Sequence, residues 1–226
     1  MRFTSYGTPA IAVLGGTPLG HEFYSFEEAL NSALGAPDGD SDRRGKNRLQ
    51  TVYRVARVFA GADHGLARVV NISDHGLMLA THLEVRLSAD VTVDLSEACS
   101  LTGEVVWVRP GQCGLKFKAP IDSAALLKRL RDEVRTPQTR PLRLPIDKQV
   151  LCTSPLGMQV VRLRDISQRG AKIVHDGRIA TGLDVKLQLT ALIECRGLVR
   201  WSRDGLAGLQ FEKELSVPEL GSISRL

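Results

Sequence analysis

The chain has little of what defines several large classes of protein. Aromatic residues make up only 5% of its 226 residues, so the sequence offers no platform of several exposed rings on which nucleic-acid bases would stack. No apolar run approaches the ~18 residues that a membrane-spanning helix requires. We therefore expect neither a nucleic-acid partner nor membrane insertion.

Cysteine is also scarce, and its spacing excludes the usual metal and redox motifs. The cysteines form no CxxC pair and no Cys/His cluster, so we expect no metal site. Residues 10–14 form only a brief apolar patch, shorter than the apolar body of a secretory signal. We expect a cytoplasmic protein with small buried thiols, with one disulfide as the alternative. The cysteines are Cys99, Cys113, Cys152 and Cys195.

The charge balance is mildly basic. The chain has 30 Lys and Arg against 25 Asp and Glu, a formal net charge of +5, and its pI is near 9.2. This is a modest bias towards anionic partners, well below that of a nucleic-acid coat protein. Hydrophobic residues make up 43% of the chain, which is enough apolar material for two small cores.

What the chain does contain is an internal repeat with a constant offset of 94 positions, the step from Asn71 to Asp165. The segment Asn-Ile-Ser-Asp-His-Gly at Asn71 returns as Asp-Ile-Ser-Gln-Arg-Gly at Asp165. Further residues keep this register without a gap, so we infer a duplicated domain of under about 100 residues, a normal size for an independent core. The matching pairs are Gly103 and Gly197, Val105 and Val199, Trp107 and Trp201, Gly114 and Gly208, Leu115 and Leu209, and Phe117 and Phe211.

The repeat divides the chain into an N-terminal extension (residues 1–40), a first domain (41–135) and a second domain (136–226). The extension contains a predicted helix start, with Ser25 as its cap and Glu28 as the capping-box partner. This extension is either a docking element or a packing extension of the first domain, and its sequence does not distinguish the two.

The hydrophobic pattern of both copies is that of β-strands. Residues 52–59 alternate imperfectly with a period of two, and further short candidates follow between turn signals. Residues 121–134 have helical spacing instead. The pattern predicts a mostly β fold, a small barrel or sandwich in each copy, with a helix after the first. The other strand candidates are 65–71, 76–82, 90–95, 101–109 and 112–118, then 146–153, 157–164, 170–175, 184–190, 193–202 and 205–212.

Two polar motifs of the first copy have both a plain and a functional interpretation. Residues 43–48, Arg-Arg-Gly-Lys-Asn-Arg, are either a flexible basic linker or a phosphate-binding element, because guanidinium groups grip phosphate oxygens in pairs. The Asn71-x-Ser73-x-x-Gly76 segment is either a tight turn or a set of short polar groups that bind a ligand at a barrel rim. Ser73 has no evident paired base and acid, so we expect no enzyme.

The order of these motifs resembles that of the PilZ domain family. An RxxxR element (Arg44 and Arg48, after Arg43) precedes a strand, [DN]xSxxG follows it, and GxVxW and GLxF strands come later. The resemblance covers about residues 43–135 and 140–213. It implies two tandem six-stranded antiparallel β-barrels that bind cyclic di-GMP and need no cofactor. The ligand-binding residues that it implies are Arg43, Arg44, Arg48, Asn71, Ser73 and Gly76.

The second copy departs from the family pattern. Asp165, Ser167 and Gly170 are intact, but the arginines Arg140 and Arg143 are out of register with RxxxR. We expect this copy to bind cyclic di-GMP poorly or not at all, as a possible weak second site.

The resemblance implies a receptor that relays the level of cyclic di-GMP to an unidentified protein partner. The relay would use ordering of the arginine loop and rearrangement of the domains, with an output in motility, biofilm formation or polysaccharide production. The alternative is a ligand-independent adaptor, a protein–protein interaction module that keeps the fold without the ligand.

Overall fold

The computed structural model describes residues 50–134 and 140–226, which belong to one compact unit. The predicted N-terminal extension lies outside the described residues. Within these two ranges, the longest helix is too short and too polar to cross a membrane.

The first domain is a closed antiparallel barrel, called barrel 1 below. Its strands are arranged in the order β1-β2-β3-β6-β5-β4. A helix, α1 (Ser123–Val134), follows it. The strands are β1 (Gln50–Ala60), β2 (Asp63–Ser73), β3 (Gly76–Ala80), β4 (Asp90–Ser96), β5 (Cys99–Arg109) and β6 (Gln112–Phe117).

The second domain, barrel 2, is closed in the same order, β7-β8-β9-β12-β11-β10. Its first strand begins at Leu144 and that of barrel 1 at Gln50, so the offset of the sequence repeat is also the offset of the strands. The predicted pair of six-stranded barrels with a helix after the first is confirmed. The strands are β7 (Leu144–Ser154), β8 (Gly157–Ser167), β9 (Gly170–Val174), β10 (Asp184–Gln188), β11 (Glu194–Arg203) and β12 (Leu206–Phe211).

Each barrel has its own core, built from matching positions. Apolar side chains that alternate along the strands point inward and are removed from water, which is the main stabilising term for such a fold. Completely buried residues occur in pairs at the repeat offset, so the duplication preserved the core. Such pairs are Val58 and Cys152, Ile72 and Ile166, and Leu79 and Ile173.

The repeated glycines and tryptophans are explained by one contact. A Cβ atom at Gly114 would lie 2.0 Å from Trp107 Nε1, and one at Gly208 would lie 2.1 Å from Trp201 Nε1. Each indole therefore lies against the backbone of the neighbouring strand, where only glycine leaves room. This is why both members of the pair recur in register.

The four cysteines are buried and unpaired. Burial raises the pKa of the Cys113 and Cys152 thiols to about 11. Burial, with the nearby Glu219 and Glu194, raises that of Cys195 to about 12. These three thiols stay protonated near neutral pH, which makes them poor nucleophiles.

The two repeats diverge after their last strand. Ile121 N donates to Asp74 O at 2.8 Å, and the matching Leu215 N donates to Gln168 O at 2.8 Å. Beyond this point the chain of barrel 1 enters α1. The chain of barrel 2 instead forms a tail, residues 216–226, that contacts barrel 1.

The tail docks on the β2 edge of barrel 1. Leu66 N donates to Leu220 O at 2.8 Å, and a Cβ at Gly65 would lie 2.2 Å from Gly221 O. Asp63 accepts hydrogen bonds from Ser222 Oγ at 2.5 Å and from the backbone N of Ser224 at 3.2 Å. Glycine at position 65 thus permits the close approach of two backbones.

Barrel 1 also contacts the start of β7. Arg57 Nη1 donates to Arg143 O at 2.7 Å, and His64 Nε2 lies 2.7 Å from Pro145 O. Leu66 of barrel 1 is buried within the core cluster of barrel 2. The outer face of the β1–β2 hairpin is therefore the main contact surface between the barrels.

Candidate functional site

The Asn71–Gly76 motif lies at the end of β2, beside the start of β1. Pairing with β3 skips from Val69 to Asn71, so Val70 forms a β-bulge. The bulge shifts the alternation, and Ile72 enters the core while Asn71 and Ser73, on either side of it, face outward and are half-buried.

The turn that follows is held by the motif itself. Ser73 Oγ donates to Gly76 O at 3.3 Å and lies 3.4 Å from the backbone N of His75, which donates to it. A Cβ at Gly76 would lie 2.2 Å from Leu115 O on β6. Glycine is needed here because two backbones approach each other, whatever role the position has towards a ligand.

Asp74, which the sequence analysis did not single out, connects this turn to α1. Its carboxylate accepts hydrogen bonds from Ser123 Oγ at 2.6 Å and from Ser123 N at 3.0 Å. The hydrogen bonds from Ser123 lower the pKa of Asp74. An aspartate at a helix start satisfies backbone donors that would otherwise lack partners, so α1 begins on the motif turn. The signal in the sequence was the short acidic residue inside the motif.

The arginines Arg43, Arg44 and Arg48 lie outside the described residues. The described chain begins at Gln50, whose backbone pairs with Ile72 inside the motif. The strand that follows the basic cluster therefore starts next to Asn71 and Ser73.

The structure adds Tyr53 to the candidate residues. Pairing between β1 and β2 skips from Thr51 to Arg54, and Tyr53 in this gap has a φ of 41°, a left-handed value that non-glycine residues rarely adopt. Its side chain is exposed and lines a cleft of about 740 Å³ between the barrels, together with Arg140 and Gln168. Strained residues at bulges cluster at functional sites. The imperfect alternation of residues 52–59 was the signal in the sequence.

The matching motif of barrel 2 has a different environment. The Asp165 carboxylate forms ion pairs with Arg143 and, at 2.9 Å, with Lys172 Nζ, and its side chain is only 14% exposed. Ser167 is buried and donates to Gly170 O at 3.1 Å. The Ser167 bond matches that of Ser73, so the difference between the motifs is the Asp165 carboxylate, which is already bonded within barrel 2.

The strand register shows which residues of barrel 2 match the arginines that precede barrel 1. Leu144 pairs with Ile166 as Gln50 pairs with Ile72, so Leu142 occupies the position that matches Arg48. Leu142 packs against the core of barrel 2. Arg143 stands one residue later, where it binds Asp165, and Arg140 is exposed.

Comparison with known proteins gives one family for both barrels. Residues 42–135 and 129–226 each match the model of the PilZ domain family. No curated protein sequence matches the chain.

Three solved structures illustrate the similar folds. One is PlzA from Borreliella burgdorferi in complex with c-di-GMP, with 14% identity over 76% of this chain and 90% of that chain, and a TM-score of 0.33. The inhibitor of motility MotI/DgrA from Bacillus subtilis has 13% identity over 73% and 90%, and a TM-score of 0.29. YcgR from Escherichia coli in complex with c-di-GMP has 12% identity over 73% and 77%, and a TM-score of 0.25.

Proposed function

Because the chain belongs to the PilZ domain family, we propose that it is a cyclic di-GMP receptor, not an enzyme, whose binding site is built on barrel 1 alone. The observation that carries this proposal is the contrast between the two motifs. Asn71 and Ser73 face outward beside the strand that follows the arginines, whereas Asp165 is closed by Arg143 and Lys172.

The side-chain amide of Asn71 supports a guanine contact. Among the described residues, no side chain or backbone group forms a hydrogen bond with it. An amide offers both a donor and an acceptor, which suits the mixed donors and acceptors of a guanine edge. Tyr53 is two positions from Thr51, the residue that pairs with Asn71, and its exposed ring supplies a surface on which a base can stack.

The arginines supply the charge that the ligand requires. Cyclic di-GMP has two phosphates and two guanines, and guanidinium groups bind phosphate in pairs and also bind guanine edges. Arg48 is two positions before Gln50, and two residue steps span at most about 7 Å. Covalent geometry therefore keeps Arg48 near the β1 start that pairs with the motif.

The relay that we propose runs along β1. This strand begins at the motif, and further along it Val55 packs against the core of barrel 2 and Arg57 donates to Arg143 O. Ordering of the arginine loop by the ligand would pull on the start of β1 and change the contact between the barrels. A protein partner that controls motility, biofilm formation or polysaccharide production would read that change.

Calorimetric titration of cyclic di-GMP into the full chain tests the site. We expect Arg44→Ala, Arg48→Ala and Asn71→Ala each to weaken binding by about 5- to 150-fold, since one arginine–guanine or amide–guanine contact contributes about 1–3 kcal/mol. Tyr53→Ala should weaken it less.

The matched substitution in barrel 2 is the control. Asp165→Ala should leave the affinity and the stoichiometry unchanged. If Asp165→Ala weakens binding as much as Asn71→Ala, the ligand uses both barrels and the assignment to barrel 1 fails.

The second candidate function is a ligand-independent adaptor. The closed motif of barrel 2 favours it for that domain, because its carboxylate forms ion pairs with Arg143 and Lys172. Absence of binding to the wild-type chain in the same titration would extend this interpretation to the whole protein.

A further inference from the structure

The β8 edge of barrel 2 is unpaired where the matching edge of barrel 1 is covered. Strand β3 pairs only with Arg68–Ser73 of β2, and β9 pairs only with Arg162–Ser167 of β8. The first five residues of each long strand therefore have one free side. In barrel 1 the tail covers this side through the bond from Leu66 N to Leu220 O.

The hairpin geometry determines which groups of β8 are free. Ser154 and Gly157 close a two-residue turn, and pairs beyond such a turn alternate between hydrogen-bonded and non-hydrogen-bonded. Met158 and Val160 fall in the non-hydrogen-bonded pairs, so their N–H and C=O groups point away from β7. In residues 50–134 and 140–226, no backbone bond from outside this hairpin reaches either residue.

The same stretch is apolar on its exposed face. Met158 is 68% exposed, Val160 65% and Leu156, at the turn, 65%. Leu151 lies directly opposite Val160 on β7 and is also exposed. Natural sheet edges are usually protected by charge, proline or a bulge, and residues 157–161, Gly-Met-Gln-Val-Val, have none of these.

The tail of another copy does not fit this edge in the way that it fits barrel 1. Gly157 stands where barrel 1 has Asp63, so the acceptor for the two tail serines is missing. Gln159 stands where barrel 1 has Gly65, and a side chain there blocks the approach that Gly221 makes. The free edge therefore needs a different occupant.

We propose that the β8 edge, residues 157–161, pairs antiparallel with the same edge of a second copy of this chain across a two-fold axis. An axis at Gln159 places Met158 opposite Val160 of the second copy, and each such pair exchanges both of its backbone hydrogen bonds. The paired stretches carry no charge, so no like charges oppose each other. The two barrels then share one continuous sheet, and the apolar side chains of the two hairpins cover each other.

Sedimentation velocity of the full chain without nucleotide, from low micromolar to submillimolar concentration, tests the proposal. The wild type should shift from the 24.7 kDa monomer to twice that mass. The double variant Met158→Lys/Val160→Lys puts lysines directly opposite each other and should raise the dissociation constant at least about tenfold. The control Leu192→Lys introduces the same charge at a residue that is 95% exposed and lies in the connection between β10 and β11, and it should associate like the wild type.

Amide hydrogen exchange identifies the contact. The Val160 amide should exchange more slowly in the dimer, whereas the Leu66 amide, bonded to the tail, should be protected at every concentration. Circular dichroism of the double variant should match the wild type, because both side chains are exposed.

Four results would overturn the proposal. They are a wild type that stays monomeric throughout, association that the double variant leaves intact, an equal loss in Leu192→Lys, and a dimer in which Val160 is not protected. Association that is abolished by Gly65→Ala instead would identify exchange of tails between copies.

Discussion

Barrel 1 and barrel 2 have matching strands and matching cores, and they differ where those strands face outward. The β1–β2 hairpin of barrel 1 is covered by the tail and the start of β7, while in the β7–β8 hairpin of barrel 2 no described residue outside the hairpin bonds to the backbone of Met158 or Val160. The Asp165 carboxylate forms ion pairs with Arg143 and Lys172, whereas the Asn71 side chain has no such partner among the described residues. A substitution at a core position disturbs the side chains packed around it and lowers stability, whereas most surface substitutions change stability little.

The two motifs also differ in the groups that their polar side chains bind. Asp165, Ser167 and Gly170 satisfy the pattern, yet Lys172 and Arg143 neutralise the carboxylate. At the position of Lys172, barrel 1 has Met78, which cannot form an ion pair. Residues on adjacent strands therefore determine which groups the polar side chains of the motif bind within the barrel.

The largest loss of stability should come from replacing a glycine that has the same contact in both barrels. Gly76→Ala and Gly170→Ala place a Cβ 2.2 Å from Leu115 O and 2.1 Å from Leu209 O, so strands must move apart. Each should lower the free energy of unfolding by about 3 kcal/mol or more, measured by urea denaturation. The exposed Ser100→Ala is the control. A large loss in one barrel and none in the other would contradict a shared structural role for this glycine.

Gly65→Ala should have an effect that the matching substitution in barrel 2 does not have, because position 65 lies where the tail docks. Its Cβ would lie 2.2 Å from Gly221 O, and we expect a loss of about 2 kcal/mol. Hydrogen exchange should show faster exchange of the Leu66 amide, which the tail protects. Gln159→Ala, the matching position of barrel 2, should leave the Leu66 amide protected. Equal exchange in both variants would mean that the tail does not depend on Gly65.

A substitution that makes barrel 1 like barrel 2 should weaken ligand binding. Asn71→Asp with Met78→Lys rebuilds the carboxylate–lysine pair, and we expect about tenfold weaker binding of cyclic di-GMP by calorimetry, about 1.4 kcal/mol. Asn71→Asp alone is the control and should bind better than the double variant. Undiminished binding by the double variant would show that the ion pair does not close the site.

The smallest effect should be an acid dependence that comes from Asp63, where barrel 2 has Gly157. Burial alone would raise the pKa of Asp63, but the hydrogen bonds from Ser222 and Ser224 outweigh it and hold the pKa below its ordinary 3.8. Since the folded pKa is depressed, this stabilisation is complete above about pH 4 and is lost as the pH falls through the folded value. Asp63→Asn should lower the free energy of unfolding by about 1 kcal/mol near neutral pH. It should also make that free energy depend less on pH in the acid range. The exposed and uncharged Ser100→Ala should leave that pH dependence unchanged.

Much of the fold followed from local pattern. The candidate strand at residues 76–82 is β3, at 76–80, and the one at 112–118 is β6, at 112–117, because alternation of apolar residues is a property of each strand by itself. The family membership was likewise confirmed on both copies. The predicted ligand-binding residues, Arg43 to Gly76, stay predictions.

The sequence by itself determined the duplication, the strands and the positions of the motif residues, since the strand period, the turn glycines and the repeat register are local properties of the chain, and the family resemblance implied the barrels. Only the tertiary structure decided that the tail crosses to barrel 1, that Lys172 and Arg143 bind Asp165, and that Asp74 binds Ser123 at the start of α1. These contacts join residues from 7 positions apart, as for Asp165 and Lys172, to 159, as for Asp63 and Ser222. Packing alone brings such groups within hydrogen-bond distance, and no local pattern records it.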